Sequence, residues 1–409
     1  MAPSATPRTG SIIFKIALLS IALIISDVGA VSPVLPELQS HFPGVSQTLI
    51  QGFISFPAIA GLVATLVAGA LATTVGKRRI VLIGITLVII GGLAPYFLVD
   101  HAPYALVISV RFLAGFGMGL LQPLSTSLIA DFYTGQTRRT LIGIQSSMIG
   151  LGGTLWSLVV SALMTMGWRQ AFLVYLFGLI ILGLVWHYVP EPQRRTEGSQ
   201  AAGASVTRSP LPVGTAGAIA LISLMTLGFQ AIVISAPFLA AEREFASGAQ
   251  VSLVMTTFGL ASVLGGFLFS TVYRALRSWT GVAALTSLTA GLALGTVTYS
   301  LTVLFVVAIL IGLGFGMFMP FCLSSINART DQTNSAFTTS LLFAGTSIAG
   351  FIAPSVFGLA GRLIGNTSAA AQFGTGAAIV AATLVAAVFY YQADARWTRA
   401  VEAERAAAQ

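Results

Sequence analysis

The chain has 409 residues, 56% of them hydrophobic and only 8% charged, with a mean hydropathy of +0.91. A soluble domain carries roughly a quarter charged residues because it must face water, so this composition excludes an ordinary globular enzyme or soluble binding module. The net charge of +8 does not indicate nucleic acid: the basic residues fall in short loops between apolar runs, with no basic helix and no interleaved aromatics.

Residues 1–10 are polar. The apolar run that follows is about 24 residues long, beyond the 7–15 of a signal-peptide core, and reads as a retained first transmembrane helix. Twelve such runs are predicted in chain order, at 12–36, 48–72, 80–99, 103–128, 140–165, 170–189, 214–238, 250–272, 280–299, 302–326, 335–361 and 371–391. Each is long enough to cross a hydrocarbon core of about 30 Å as a helix, and none alternates polar with apolar as a barrel strand would. Prolines 33 and 36 lie near the end of span one, with Pro57, Pro123, Pro320 and Pro354 in or beside later spans, where each can bend a helix.

Placing the N-terminus in the cytoplasm puts 16 of the 20 Lys and Arg residues on the inside and only Arg169, Arg243 and Arg362 outside. Short loops obey this bias, which predicts a multi-pass cell-membrane protein with both termini cytoplasmic. The longest polar segment, 190–213, is rich in Pro, Gly, Ser and Ala and reads as a flexible cytoplasmic linker. It separates an N-terminal six-helix bundle (1–189) from a C-terminal six-helix bundle with a short tail (214–409). An internal echo suggests duplication: the stretch from Gly69 to Lys77 resembles that from Gly266 to Arg274, and Gly115-Phe-Gly-Met118 resembles Gly314-Phe-Gly-Met317, at offsets of 197 and 199.

The chemistry-bearing residues are few. A single cysteine, Cys322, excludes a disulfide framework and a cysteine metal site, and His41, His101 and His187 show no ligand spacing. No Ser/His/Asp set shares a depth and no phosphate-binding glycine loop is present, so an enzyme, a metal site and a cofactor are not expected. Only Asp27 and Arg111 are ionisable groups deep within spans. They lie ~14 and ~12 Å from the predicted outer ends of spans one and four. Charges at such depth are costly and by default functional. Softer cavity candidates are Ser26 and Ser32 in span one, Gln51 and Ser55 in span two, Gln122 in span four, Gln145 and Trp156 in span five, and Gln230 in span seven. Met255 and Phe258 in span eight, and Met317, Phe318, Met319 and Phe321 in span ten, complete the set. Met and Phe repack readily and suit lipophilic, variable substrates.

Three motifs resemble the major facilitator superfamily. The loop after span two, Gly69-Ala-Leu-Ala-Thr-Thr-Val-Gly76-Lys77-Arg78, is similar to the family signature G-x-x-x-D-R-x-G-R-R/K, with Thr73 and Thr74 in place of its Asp and Arg. Span four carries Arg111-x-x-x-Gly115-x-Gly117, and Gly167-Trp-Arg-Gln-Ala-Phe172 opens span six. Span five lacks the Gly-Pro-x-x-Gly-Gly pattern of the family's antiporters.

The resemblance implies an all-α fold of two pseudo-symmetric six-helix bundles, transport by alternating access, and Asp131 as a partner of the Lys77–Arg78 cytoplasmic gate. It also makes spans one and four neighbours, so that Asp27 and Arg111 form a proton-coupling pair, with a static ion pair as the alternative. The expected function is proton-coupled efflux of amphipathic drugs or metabolites by a monomer. The alternatives are a small organic anion carrier anchored by Arg111 and a non-transporting sensor.

Overall fold

The structure, a computed structural model, describes residues 11–25, 29–192, 213–277, 279–327 and 335–407. Among these residues all regular structure is helical. The helices are α1 (Ile12–Ile25), α2 (Leu35–His41), α3 (Gln47–Val75), α4 (Lys77–Leu98), α5 (Tyr104–Phe132), α6 (Gly135–Met164) and α7 (Phe177–Tyr188). They continue with α8 (Val213–Glu242), α9 (Gly248–Leu276), α10 (Trp279–Thr296), α11 (Leu301–Asn327), α12 (Ser335–Ile364) and α13 (Ala369–Ala407). Ten helical stretches among them are long and apolar enough to cross a membrane; α1 is a shorter apolar helix, and α10 has 18 residues. The chain is an all-helical, multi-pass membrane protein.

Three spans differ from the sequence expectation. Span one is not continuous: residues 29–31 form a turn, Ser32–Val34 a 3₁₀ segment, and α2 follows directly. Pro33 and Pro36 each occupy a first helical turn, where a missing N–H removes no hydrogen bond, rather than a helix interior, where it would. Span six opens as a 3₁₀ segment, Trp168–Leu176, before α7. Span twelve does not end near residue 391: α13 runs on to Ala407, through a segment dominated by Ala, Glu and Arg, which are strong helix formers.

Between α3 and α4 there is only Gly76, whose φ of 103° lets the chain reverse in one residue.

The helices group into two compact units. The first covers Met1–Arg208 with Gly248–Thr256, and the second Ser209–Ser247 with Thr257–Gln409. The first turns of α9 join unit 1 through Ser161, whose hydroxyl donates to the Ala249 carbonyl (2.7 Å), and through Ser252, which donates to the Ser157 carbonyl (2.7 Å).

Each unit contains one helix set against two others by alternating glycines. In unit 1, a side chain on Gly115 or Gly119 of α5 would strike the backbone of α3 at Pro57 or Gly61, and one on Gly117 would strike Gly84 of α4. In unit 2, Gly312 and Gly316 of α11 face the α9 backbone at Phe258 and Ser262, while Gly314 faces Ala284 of α10. Backbones this close pack through small residues in place of a hydrophobic drive between helices.

This packing corrects the register of the internal echo. Gly115 corresponds to Gly312, an offset of 197 and not 199; Gly61 corresponds to Ser262, an offset of 201 and not 197. The letter matches slipped because Gly and Phe recur along these helices, whereas the backbone contacts do not repeat out of phase.

Candidate functional site

Among the described residues of unit 1 the most buried charged side chain is Arg111, on α5, with 2% of its surface exposed. Its Nη1 donates to the Tyr175 hydroxyl at 2.7 Å, and its guanidinium carbon lies 4.8 Å from the Phe53 ring centre and 5.5 Å from that of Tyr175. A phenol oxygen and two aromatic faces solvate the cation.

Tyr175 owes its place to the 3₁₀ segment, and its ring fills the space left by the missing side chain of Gly92 on α4. The Trp156 ring of α6 lies 5.4 Å from that of Tyr175, tilted by 48°, and its indole N–H donates to the Leu23 carbonyl of α1 at 2.7 Å. Arg111 and Tyr175 thus stand at the centre of contacts that link six helical elements: α5, the 3₁₀ segment, α3, α4, α6 and α1. Near the middle of α6, Gln145 donates to Ser125 (2.7 Å) and accepts from Thr126 (3.2 Å) on α5.

At the Gly76 end of unit 1, Lys77 Nζ lies 2.6 Å from the Asp131 carboxylate and 2.7 Å from the Ser127 hydroxyl. Arg78 takes other partners. Its side chain donates to the Trp186 carbonyl (2.5 Å) and lies 5.6 Å from that indole ring, while its backbone N–H donates to Glu191 (3.3 Å). A carboxylate here sits at the N-terminus of α4, where the helix dipole favours it. At the opposite end, Arg169 donates to Asp100, and His41 approaches the same carboxylate at 3.8 Å.

In unit 2 three rings from three helices form one cluster. Phe229 of α8 lies 4.7 Å from Phe315 of α11 and 5.4 Å from Phe258 of α9, with Phe258 and Phe315 6.0 Å apart. Phe258 sits roughly 160° around α9 from the exposed Leu260, and Phe315 about 180° around α11 from the exposed Val306. The cluster thus points away from the lipid-facing stripe of those helices.

Comparison with known proteins settles the family. The model of the Major Facilitator Superfamily matches residues 17–245 and 218–408, nearly the whole chain. The chain belongs to the major facilitator superfamily. No curated protein matches it. Among solved structures it is similar to a D-xylose-proton symporter (18% identity, TM-score 0.69, covering 93% of this chain and 98% of that one). It is also similar to the nucleoside transporter NupG (13%, 0.76, 92% and 100%). A third likeness is to a bacterial homolog of the human lysosomal transporter Spinster in an inward-facing, occupied conformation (19%, 0.66, 96% and 98%). At such identities the likeness is one of fold, and family membership makes the chain a transporter and not an enzyme.

Against this superfamily frame, the predicted site residues separate into groups. Ser26 and Asp27 lie outside the described residues. Arg111, Trp156 and Gln145 are joined into the unit 1 networks above; Gln51 and Ser55 are buried in α3, and Gln122 is exposed on α5. Lys77 and Asp131 are in contact, and Gly69 faces open space. Gln230 and Met255 are buried, and Met317 is half-buried.

Phe318 and Phe321, expected in a cavity, are both buried. Phe318 has no exposure, and Phe321 covers Gly281 of α10 and lies 6.3 Å from Tyr273. Three residues along α11 leave two rings about 60° apart around the helix, so Phe315 and Phe318 could not be ranked by hydrophobicity alone. Tyr175, Glu191, Phe229 and Phe315 were missed. Phe315 stands inside the quoted Gly-Phe-Gly motif and Phe229 directly before Gln230, which were the only signals available.

Proposed function

We propose that this transporter couples proton movement to the export of amphipathic organic compounds, drugs or metabolites, by alternating access, as a monomer in the cell membrane with both termini cytoplasmic. The observation that carries the reading is Arg111: a guanidinium 2% exposed in a membrane-crossing helix, held by the phenol of Tyr175 and the faces of Phe53 and Tyr175. A charge at that depth costs several kcal/mol, and such residues mark ion and substrate pathways.

Asp27 is the acid assigned to it. With Arg111 beside it the carboxylate stays ionised; when the two separate, desolvation raises its pKa and it takes a proton. The Lys77–Asp131 contact is assigned to the cytoplasmic gate. The cluster of Phe229, Phe258 and Phe315, turned from the lipid-facing stripe, supports an apolar portion in the cargo.

The test is flux in liposomes holding a pH-sensitive dye, with rhodamine 6G as cargo and an imposed pH gradient. Cargo and proton should move in opposite directions, and Asp27→Asn should lower proton-driven flux by at least about tenfold while the protein stays folded. Undiminished coupling in that variant sinks the proposal. A second reading has support from the comparisons, where one similar structure is named a proton symporter: a small organic anion anchored by Arg111 would move together with the proton in the same assay.

A further inference from the structure

The start of α9 is held by a polar seam within the first unit. Two serines bond across it in opposite directions: Ser161 of α6 donates to the Ala249 carbonyl, and Ser252 of α9 donates to the Ser157 carbonyl, each at 2.7 Å. All three serines, Ser157, Ser161 and Ser252, are buried. α9 begins at Gly248. A side chain there would meet the Met164 methyl group of α6, the Glu37 Oε1 of α2 and the Pro33 carbonyl oxygen. The bare position thus lets three elements converge on the first turn of α9. Glu37 is shut in at this point, with its Oε2 buried and lacking a hydrogen-bond partner. From Thr257 onward α9 belongs to the second unit. Alternating access, in which one repeat rocks against the other, therefore requires these first turns to let go.

We propose that this seam is a latch which opens during transport, and that Glu37 is a proton-binding group which holds its proton while the latch is shut and releases it when α9 moves away. The proposal takes alternating access from the reading above and makes no use of Asp27. Two neutral hydroxyl bonds are individually weak and can break and re-form, as a latch requires.

The surroundings of Glu37 favour the neutral acid. There is no ionisable residue in α3, in the 3₁₀ turn Ser32–Val34, in α6 from Ser157 to Met164, or in Gly248–Thr256. On α2 itself His41 stands one turn on, its Nε2 3.1 Å from the Val99 carbonyl and 3.8 Å from the Asp100 carboxylate. Arg169 of the later 3₁₀ segment donates to Asp100. In the chain leading to α9, Arg243 donates to the Thr296 and Thr298 carbonyls, and Glu244 follows it. Burial raises the Glu37 carboxyl above its ordinary 4.5, and its own backbone hydrogen bond opposes the shift. Opening the seam returns the group to water and removes the cause. The shut form therefore binds the proton more tightly, and rising pH favours the open one.

The test reads opening directly, without cargo or gradient. In the full-length protein, Met164→Cys puts a thiol where the methyl group meets Gly248, and Cys322→Ser leaves that thiol as the only one in the chain. Labelling by N-ethylmaleimide is timed in detergent from pH 5 to 8. Each rate is divided by that of the same protein carrying Glu37→Gln, which cancels the ordinary pH dependence of the thiol. The ratio should rise across that range by at least about threefold. Ser161→Ala and Ser252→Ala, made singly so that either serves if the other does not fold, should each speed labelling at every pH by at least about twofold. Unchanged rates in the folded serine variants, or a thiol that never reacts, overturn the latch. A flat ratio with the serine variants still faster overturns Glu37 as the proton-binding group and leaves alternating access standing. Glu37→Ala takes the place of Glu37→Gln if the latter does not fold.

Discussion

A buried guanidinium is kept in place by what surrounds it. Arg111 has a phenol oxygen at 2.7 Å and two rings within 5.5 Å, and none of these can be read from its neighbours in sequence, because Tyr175 is 64 residues away. A half-buried charge tests the same balance outside the spans. Glu37 of α2 lies within the first unit near Gly248, with its Oε2 buried and lacking a hydrogen-bond partner. Burial raises its carboxyl above the ordinary 4.5, and a backbone hydrogen bond opposes the shift. A raised acid binds its proton in the folded state first. The penalty is therefore full above the folded pKa, shrinks as pH falls through it, and is gone below 4.5. Glu37→Gln should melt higher than the parent at pH 8, and the gap should close as the pH is lowered toward 5. A gap independent of pH would mean that burial is not the cause.

At the scale of elements, glycines decide which helices touch. Gly117 of α5 meets the Gly84 carbonyl of α4, and Gly316 of α11 meets the Ser262 carbonyl of α9, whereas Gly143 of α6 has open space around it. Adding one methyl group is the same chemical change at all three. Gly117→Ala and Gly316→Ala should each cost about 1–3 kcal/mol, since backbone must shift to admit a methyl, while Gly143→Ala should be neutral or slightly stabilising. Melting temperatures in detergent check the contrast, and equal effects at Gly117 and Gly143 would contradict the packing. The 3₁₀ segment Trp168–Leu176 makes a related point. A regular helix starting at Trp168 would turn position 175 through a different angle and carry the phenol away from Arg111.

At the scale of the molecule, the two units do not divide cleanly in sequence, since Gly248–Thr256 belong with the first unit while the rest of α9 belongs with the second. If the chain is expressed as two polypeptides broken between residues 200 and 201, the pieces should copurify through one tag, because Ser157 and Ser161 of the first bond Ser252 and Ala249 of the second. Separation of the pieces in mild detergent would count against that grouping.

The amino-acid sequence by itself determined the class, the number of spans, the family and the residues whose charge is expensive in lipid. Each follows from composition and local order, as with Arg111 lying within an apolar run or Gly76 between α3 and α4. It also marked Lys77 and Asp131, which meet at 2.6 Å, because the resemblance supplied a loop signature. Only the tertiary structure decided that Phe315 meets Phe229 and Phe258 while Phe318 meets Phe321, that Glu191 meets the start of α4, and that the repeat runs from Gly115 to Gly312. It alone placed Tyr175 against Arg111. These depend on the rotation of each helix about its axis and on contacts between distant segments. In a chain that is apolar on nearly every face, hydrophobic periodicity carries almost no information about that rotation.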